Sequence, residues 1–272
     1  MHPGVHFSTR PEWMAAAFAQ AGAWEGVHQA SAASCSDALW PWLIGLLHHD
    51  SLVNFTTYRG NVSALAARHA ADRLRPRMIA LSAATDFATL ARESAALSGL
   101  HPTLRRADIA IHTENRFTRD FLPVPAERLA PAAQALFNLR RAGLHAPHGA
   151  ARIASYLILL TLHPYRDGNG RTARLLFAAD TWVATGSPLE LLALAWLHGH
   201  RNAHFHLAAK CARAGDFDML FGLHAESSVQ ACRCLDTHLR MLDVALHADD
   251  ADAIFNAAQT LHAAVSLHVR QD

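Results

Sequence analysis

The sequence has almost no net charge, only four cysteines in 272 residues and no apolar run long enough to span a bilayer. Each shortage closes off a class of function. Lys+Arg 24 against Asp+Glu 23 leaves a formal charge of +1, so nothing overall pulls the chain toward nucleic acid or an anionic membrane, although a local basic pocket stays open. Cys35, Cys211, Cys232 and Cys234 are unevenly placed and lack paired metal-ligand spacing. We read them as reduced, mostly structural thiols in a cytosolic protein. The start, MHPGVHFSTRPEW, has no basic segment followed by an apolar run and so no export signal; a non-Sec route into a host cell stays open. The most apolar segment, Ile153 to Leu162, is about half the length of a membrane span and reads as a buried helix.

What is there is mostly helix. PEWMAAAFAQAGAW begins with Pro11 after Ser8 and Thr9, a capped entry with its apolar residues on one face. Similar patterns cover 35–50, 59–76, 84–97 and, from Ala126, the stretch to Arg141. After breaks at Gly143 and HAPHG the apolar helix delivers His163, and further helices are expected at 171–184, 189–210, 215–244 and 250–268. Residues 105–125 are the exception. There the period-two alternation of Ile109 and Ile111 runs into polar residues and two prolines, which predicts a short hairpin or extended flap. No internal repeat or low-complexity tail is present, so the fold class expected is all-α with one small extended excursion.

Against this background HPYRDGNGRTAR, His163 to Arg174, concentrates helix-unfriendly residues between two helices. Gly168 and Gly170 let the backbone turn tightly and bring its N–H groups close to a ligand. The unpaired N–H groups of the next helix's first turn would point at an anion. Arg171 and Arg174 are three apart and share one face, where their guanidinium groups can grip separate phosphoryl groups. Cations at a helix start oppose the dipole, so a bound polyanion explains them better than helix stability does. Asp167 fits such a place if it holds a divalent cation, Mg²⁺, together with phosphate oxygens. His163, at the mouth of the loop, can take a proton from a hydroxyl near neutral pH. Each piece also has a plain counterpart: a turn, a helix cap, a packed histidine. Their meeting within twelve residues points to phosphoryl or nucleotidyl transfer.

The same stretch resembles the signature of the Fic (Fido) family, HxFx(D/E)GNGRxxR, with Tyr165 in place of the usual Phe. The resemblance extends upstream through DFLPVPAERLAPAAQAL and downstream through GSPLELLALAWLHGHRNAHFHLAAKCARAGDFDMLFGL, covering roughly residues 100–225. It implies an all-α Fic/Fido helical core with a short β-hairpin flap and additional N- and C-terminal helices. The corresponding division is an N-terminal helical region over 1–100, a Fic core over 101–225 and C-terminal helices over 226–272. It further implies transfer of AMP from ATP to a Ser, Thr or Tyr hydroxyl of a protein, with release of pyrophosphate and with Mg²⁺ as cofactor. By resemblance His163 is the general base, Asp167 the Mg²⁺ ligand and Asn169 a contact to the α-phosphoryl group. Gly168 and Gly170 line the anion hole, while Arg171 and Arg174 hold the β- and γ-phosphates; His163, Asn169 and Arg171 form the catalytic set. The flap, about Ile109 to Arg119, would clamp an extended stretch of the target protein by main-chain pairing.

Many members carry an inhibitory helix, (S/T)xxxE(G/N), whose glutamate pairs with the second motif arginine. TTYRGN, Thr56 to Asn61, aligns with that pattern but has Gly60 where the glutamate belongs. A chain that keeps the scaffold without the brake is expected to be constitutively competent, and the missing carboxylate weakens any case for a modification-removing activity. Coincidence, with TTYRGN a plain helix-start turn, is the competing explanation.

His198, His200, His204 and His206 lack a carboxylate partner and the HExxH arrangement, and Cys232 and Cys234 are too close and isolated for a structural metal site. Trp13, Trp24, Trp40, Trp42, Trp182 and Trp196 read as core or interface residues. The expected partners are a nucleoside triphosphate and a protein, with no nucleic acid and no membrane; a homodimer is left open. Transfer of UMP, phosphocholine or a phosphoryl group is the alternative chemistry, and Gly170 speaks against the last, since phosphoryl-transferring relatives place a bulkier Lys there. A nucleotide-binding module without turnover is the alternative outside enzymology.

Overall fold

The computed structural model describes residues 11–24, 64–98, 101–111, 123–146, 149–187 and 189–266. Among these, ten α-helices carry the fold. Helix α1 (Pro11–Ala23) starts on its proline, where the missing N–H costs nothing, and buries Trp13, Met14, Ala17 and Ala21 on one face. Helix α2 (Ala64–Ser82) runs through Pro76 instead of ending there. The residues beyond the proline, Met78 and Leu81, are buried, and their packing carries the helix across a position that local preference would break. Helix α3 (Phe87–Ser98) follows a turn in which Asp86 caps the Thr89 N–H at 2.8 Å.

A 3₁₀ turn at Ala126–Arg128 leads into α4 (Leu129–Gly143), and α5 (Ala150–Leu162) is buried almost all round. Helix α6 (Asn169–Thr185) packs against α5 and α2. The single helix expected over 189–210 is two, α7 (Leu189–His200) and α8 (Asn202–Arg213), because Arg201 leaves the helical region at φ −135° and ψ 30°. The long α9 (Asp218–Ala248) packs on α7, and α10 (Ala251–Ser266) folds back along both. One apolar cluster runs from Trp13 to Leu261, so helices from all three stretches of chain share a core. No described helix is long and apolar enough to cross a membrane.

The expected flap requires a correction. Among the described residues there is no β-strand; in the extended segment 101–111, Leu104 forms an isolated antiparallel bridge to Tyr165, and Ile111 is a second isolated bridge position. Around Leu104 the backbone pairs with the loop after α5: Arg105 N–H donates to Pro164 O at 3.0 Å and Arg166 N–H to Thr103 O at 2.9 Å. Farther along, the Asp108 carboxylate accepts from the Ala126 N–H at 2.7 Å. The main-chain groups of Thr103 and Arg105 are thereby committed to the loop. Residues 112–122, including most of the Ile109–Arg119 clamp, lie outside the described residues, as does TTYRGN with Gly60.

Candidate active site

The site is built where α5 ends. His163 closes that helix in the left-handed conformation, φ 47° and ψ 59°, with its N–H donating to Leu159 O at 3.1 Å. A non-glycine residue holds this conformation at a cost of about 1–2 kcal/mol, so something must hold it. Arg105 does. Its Nε donates to His163 O at 2.8 Å, and its Nη atoms donate to Ala107 O at 3.2 Å, Leu162 O at 3.3 Å and Val124 O. The arginine is buried while neighbouring Arg106 is exposed.

The loop is anchored from below by Tyr165. Its ring is fully buried against Phe87, with centroids 6.2 Å apart in an edge contact, and its hydroxyl donates to Phe87 O at 2.7 Å. The hydroxyl that distinguishes it from phenylalanine therefore has a partner. Asn169, also buried, spans the loop: the Tyr165 N–H donates to its Oδ1 at 2.9 Å and its Nδ2 donates to Tyr165 O at 2.8 Å. One amide hydrogen of Asn169 is left over for a ligand.

Gly168 supplies the turn, with φ 80°, a region side chains rarely adopt. It is the N-cap of α6 and offers no side chain, and the first helical bond is Thr172 N–H to Gly168 O at 2.8 Å. The first-turn N–H groups therefore face the loop uncapped, the arrangement that binds anions. At Gly170 a Cβ would meet Arg174 Nη1 at 3.3 Å, a contact the flexible arginine could relieve with a small shift. Arg171 lies 3.4 Å from Asp167, whose side chain is 91% exposed and also accepts from the Gly168 N–H at 2.6 Å. Arg174 is half-buried with its Nε lacking a hydrogen-bond partner, and among the described residues no carboxylate stands within ion-pair distance of it.

Burial, aided by the charge of Arg105 and opposed by a hydrogen bond to Leu160 and by Asp167, holds the His163 imidazole below the usual histidine range. It is neutral at pH 7 and able to accept a proton. Asp167 suits Mg²⁺ in particular, an ion bound through one or two carboxylates plus substrate phosphates. No group of three or more metal-binding side chains occurs among the described residues. The loop carries His163, Asp167, Gly168, Asn169, Gly170, Arg171 and Arg174, the residues of the motif.

Two elements of the site escaped sequence reasoning. Nothing in LRRAD marks Arg105 over Arg106 as the buried one. Tyr156, on the apolar face of α5, has its hydroxyl 2.9 Å from His198 Nε2, so one of the clustered histidines reaches the site's rear wall. His200 instead stacks on Trp196 at 3.8 Å and its Nε2 lies 2.9 Å from Ala264 O.

No curated protein matches the chain. The model of the Fic/DOC family matches residues 89–179, a stretch that runs from within α3 to within α6 and holds the buried Arg105, the left-handed His163 and the uncapped start of α6. The chain therefore carries a Fic/DOC family domain over residues 89–179.

Proposed function

We propose that the protein is an adenylyltransferase that moves AMP from ATP to a Ser, Thr or Tyr hydroxyl of a protein. A Fic domain supports an enzyme acting on nucleotides. The observation that carries the finer reading is the placement of a neutral proton acceptor, His163, beside an uncapped helix start that holds two arginines on one face. In this scheme the target hydroxyl oxygen attacks the α-phosphorus, the bond to the bridging β-oxygen breaks, and pyrophosphate leaves. His163 takes the hydroxyl proton as the new P–O bond forms. The backbone N–H groups after Gly168 and the spare amide hydrogen of Asn169 receive the α-phosphoryl oxygens, where positioning and charge neutralisation carry most of the rate. Arg171 and Arg174 hold the leaving phosphates. Asp167 would hold Mg²⁺, which when bound would supply further charge neutralisation.

The clearance at Gly170 bears on the donor. A side chain there would crowd Arg174 Nη1, and phosphoryl-transferring relatives place a bulkier Lys at this position, which disfavours the phosphoryl-transfer reading. The test is intact-mass spectrometry after incubation with Mg²⁺ and each nucleoside triphosphate in turn, with a cell lysate as a source of targets. A mass shift of one AMP on the protein or a target, given by ATP and lost in His163→Ala, is expected. Equal modification by His163→Ala would refute the assignment of the base.

A further inference from the structure

At the mouth of the catalytic loop the charges do not balance. The chain from Pro102 to Arg105 runs alongside the loop: Leu104 bridges to Tyr165, the backbones of Thr103 and Arg105 bond those of Arg166 and Pro164, and a Cβ on Gly168 would come within 4.0 Å of Pro102. Two exposed arginines mark the ends of this paired stretch, Arg106 on one chain and Arg166 on the other. Arg166 is level with Thr103, so the two stand three residues apart along it, about 10 Å at the rise of extended chain. The carboxylates nearby are already engaged. Asp167 pairs with Arg171 at 3.4 Å and accepts the Gly168 N–H at 2.6 Å, while Asp108 accepts the Ala126 N–H at 2.7 Å and lies 4.0 Å from Arg105. The side chains of Arg106 and Arg166 have neither an ion pair nor a hydrogen bond among the described residues.

Resting on the adenylyl-transfer reading above, we propose that Arg106 and Arg166 form a basic rim that recognises acidic residues flanking the accepted hydroxyl, so that the substrate is an acidic segment of a protein. The donor's phosphates are already served by the start of α6, Arg171 and Arg174, which leaves the rim pair to the second substrate. Arg105 joins rim and base: its Nε donates to His163 O at 2.8 Å, and Arg106 is the next residue along the chain. A target side chain reaching His163 therefore passes the rim. A guanidinium reads a carboxylate with two parallel hydrogen bonds, which suits arginine to this task better than lysine. The whole chain carries a formal charge of only +1, so attraction of an acidic target has to come from local placement such as this. Charges at a rim act on encounter and on the choice of partner, and leave the chemistry to the residues behind them.

Fluorescence anisotropy on the full chain tests the rim without turnover. The probes are short labelled peptides, each with a central Ser, Thr or Tyr, flanked either by glutamates or by lysines. The wild type should bind the glutamate set about fivefold tighter than the lysine set, a preference that shrinks as salt is raised. Arg106→Glu combined with Arg166→Glu should reverse the preference, while ATP affinity by calorimetry shifts by less than about twofold. Arg233→Glu combined with Arg240→Glu, at exposed positions of α9, changes the net charge equally and should leave the preference in place. Equal binding of the two peptide sets, or binding of neither, would overturn the rim. So would an unreversed preference in the Arg106→Glu, Arg166→Glu variant, and a large loss of ATP affinity there would assign the two arginines to the nucleotide instead. Glutamate peptides that bind with the expected selectivity but take no label from α-labelled ATP would leave the rim standing and count against the adenylyl-transfer reading.

Discussion

Arg105 places a full positive charge among backbone carbonyls, with the exposed Asp108 carboxylate 4.0 Å away. At the scale of the single residue this is the least expected feature of the site, because one side chain ties the extended segment, the turn before α4 and the catalytic loop together. Removing it should leave buried acceptors unsatisfied at about 1–3 kcal/mol each and free His163 to leave its left-handed conformation. We expect Arg105→Met to lose about 3 kcal/mol in denaturant unfolding, by the same reasoning, and to lower kcat by about a hundredfold. Arg105→Lys, which cannot fork to several carbonyls, should recover stability better than rate. Equal kcat in Arg105→Met and wild type would remove the residue from the mechanism. The loop residues themselves were legible in the sequence because each violates helix logic: glycines, a misplaced aspartate, arginines at the wrong end. Arg105 was not, since burial of one arginine in a pair is decided by contacts to residues up to 58 positions away.

Between elements, the polar anchor is Arg140. From α4 it bonds Asp180 of α6 at 2.5 Å and the carbonyls of Ser82 at 2.6 Å and Ala84 at 3.0 Å, while Ser82 Oγ bonds the same Asp180 oxygen at 2.7 Å. The far end of the helix that begins at Asn169 is thus fixed to α2 and α4, which keeps the direction of its N-terminus. Asp180→Ala leaves the Arg140 charge buried and uncompensated and should cost about 3–5 kcal/mol, whereas Arg140→Met with Asp180→Leu should recover much of it; urea midpoints read both. A single mutant as stable as wild type would show that the pair does not hold the helices. Helix existence was legible from apolar spacing, yet boundaries were not. Pro76 is overridden by buried Met78 and Leu81, and Arg201 divides a run whose composition reads as one helix. The flap failed for a related reason: alternation at Ile109 and Ile111 indicates extended chain without saying what it pairs with, and among the described residues no strand forms, the Tyr165 loop pairing with Leu104 instead.

For the whole molecule the interior carries a titratable group that no helix-level pattern announces. His224 of α9 is buried, neither ring nitrogen has a hydrogen-bond partner, and the ring packs edge-on to Phe177 at 5.9 Å. Burial holds its pKa down to about 4 from 6.5, with the nearby Glu190 raising it and Arg152 lowering it. The unfolded chain therefore binds this proton below pH 6.5 and the native one only near pH 4, so stability is fully present above 6.5 and is lost as pH falls toward 4. The loss amounts to about 3 kcal/mol. Unfolding free energies between pH 7 and 4.5 should show this slope in the wild type and a shallower one in His224→Phe. Identical slopes would mean that another group governs the acid response. Acidification should thus destabilise the chain for a reason separate from the catalytic loop, and activity at low pH has to be read against folded fraction.

The central claim is that the donor is cut between its α- and β-phosphates and that the nucleotidyl part stays on a protein hydroxyl. ATP labelled at the α-phosphate in one reaction and at the γ-phosphate in another, each with Mg²⁺ and a lysate as target source, separates the alternatives directly. We predict acid-stable protein label from the α-position only, abolished by His163→Ala. Label retained from the γ-position would contradict the account and make the enzyme a phosphoryl transferase.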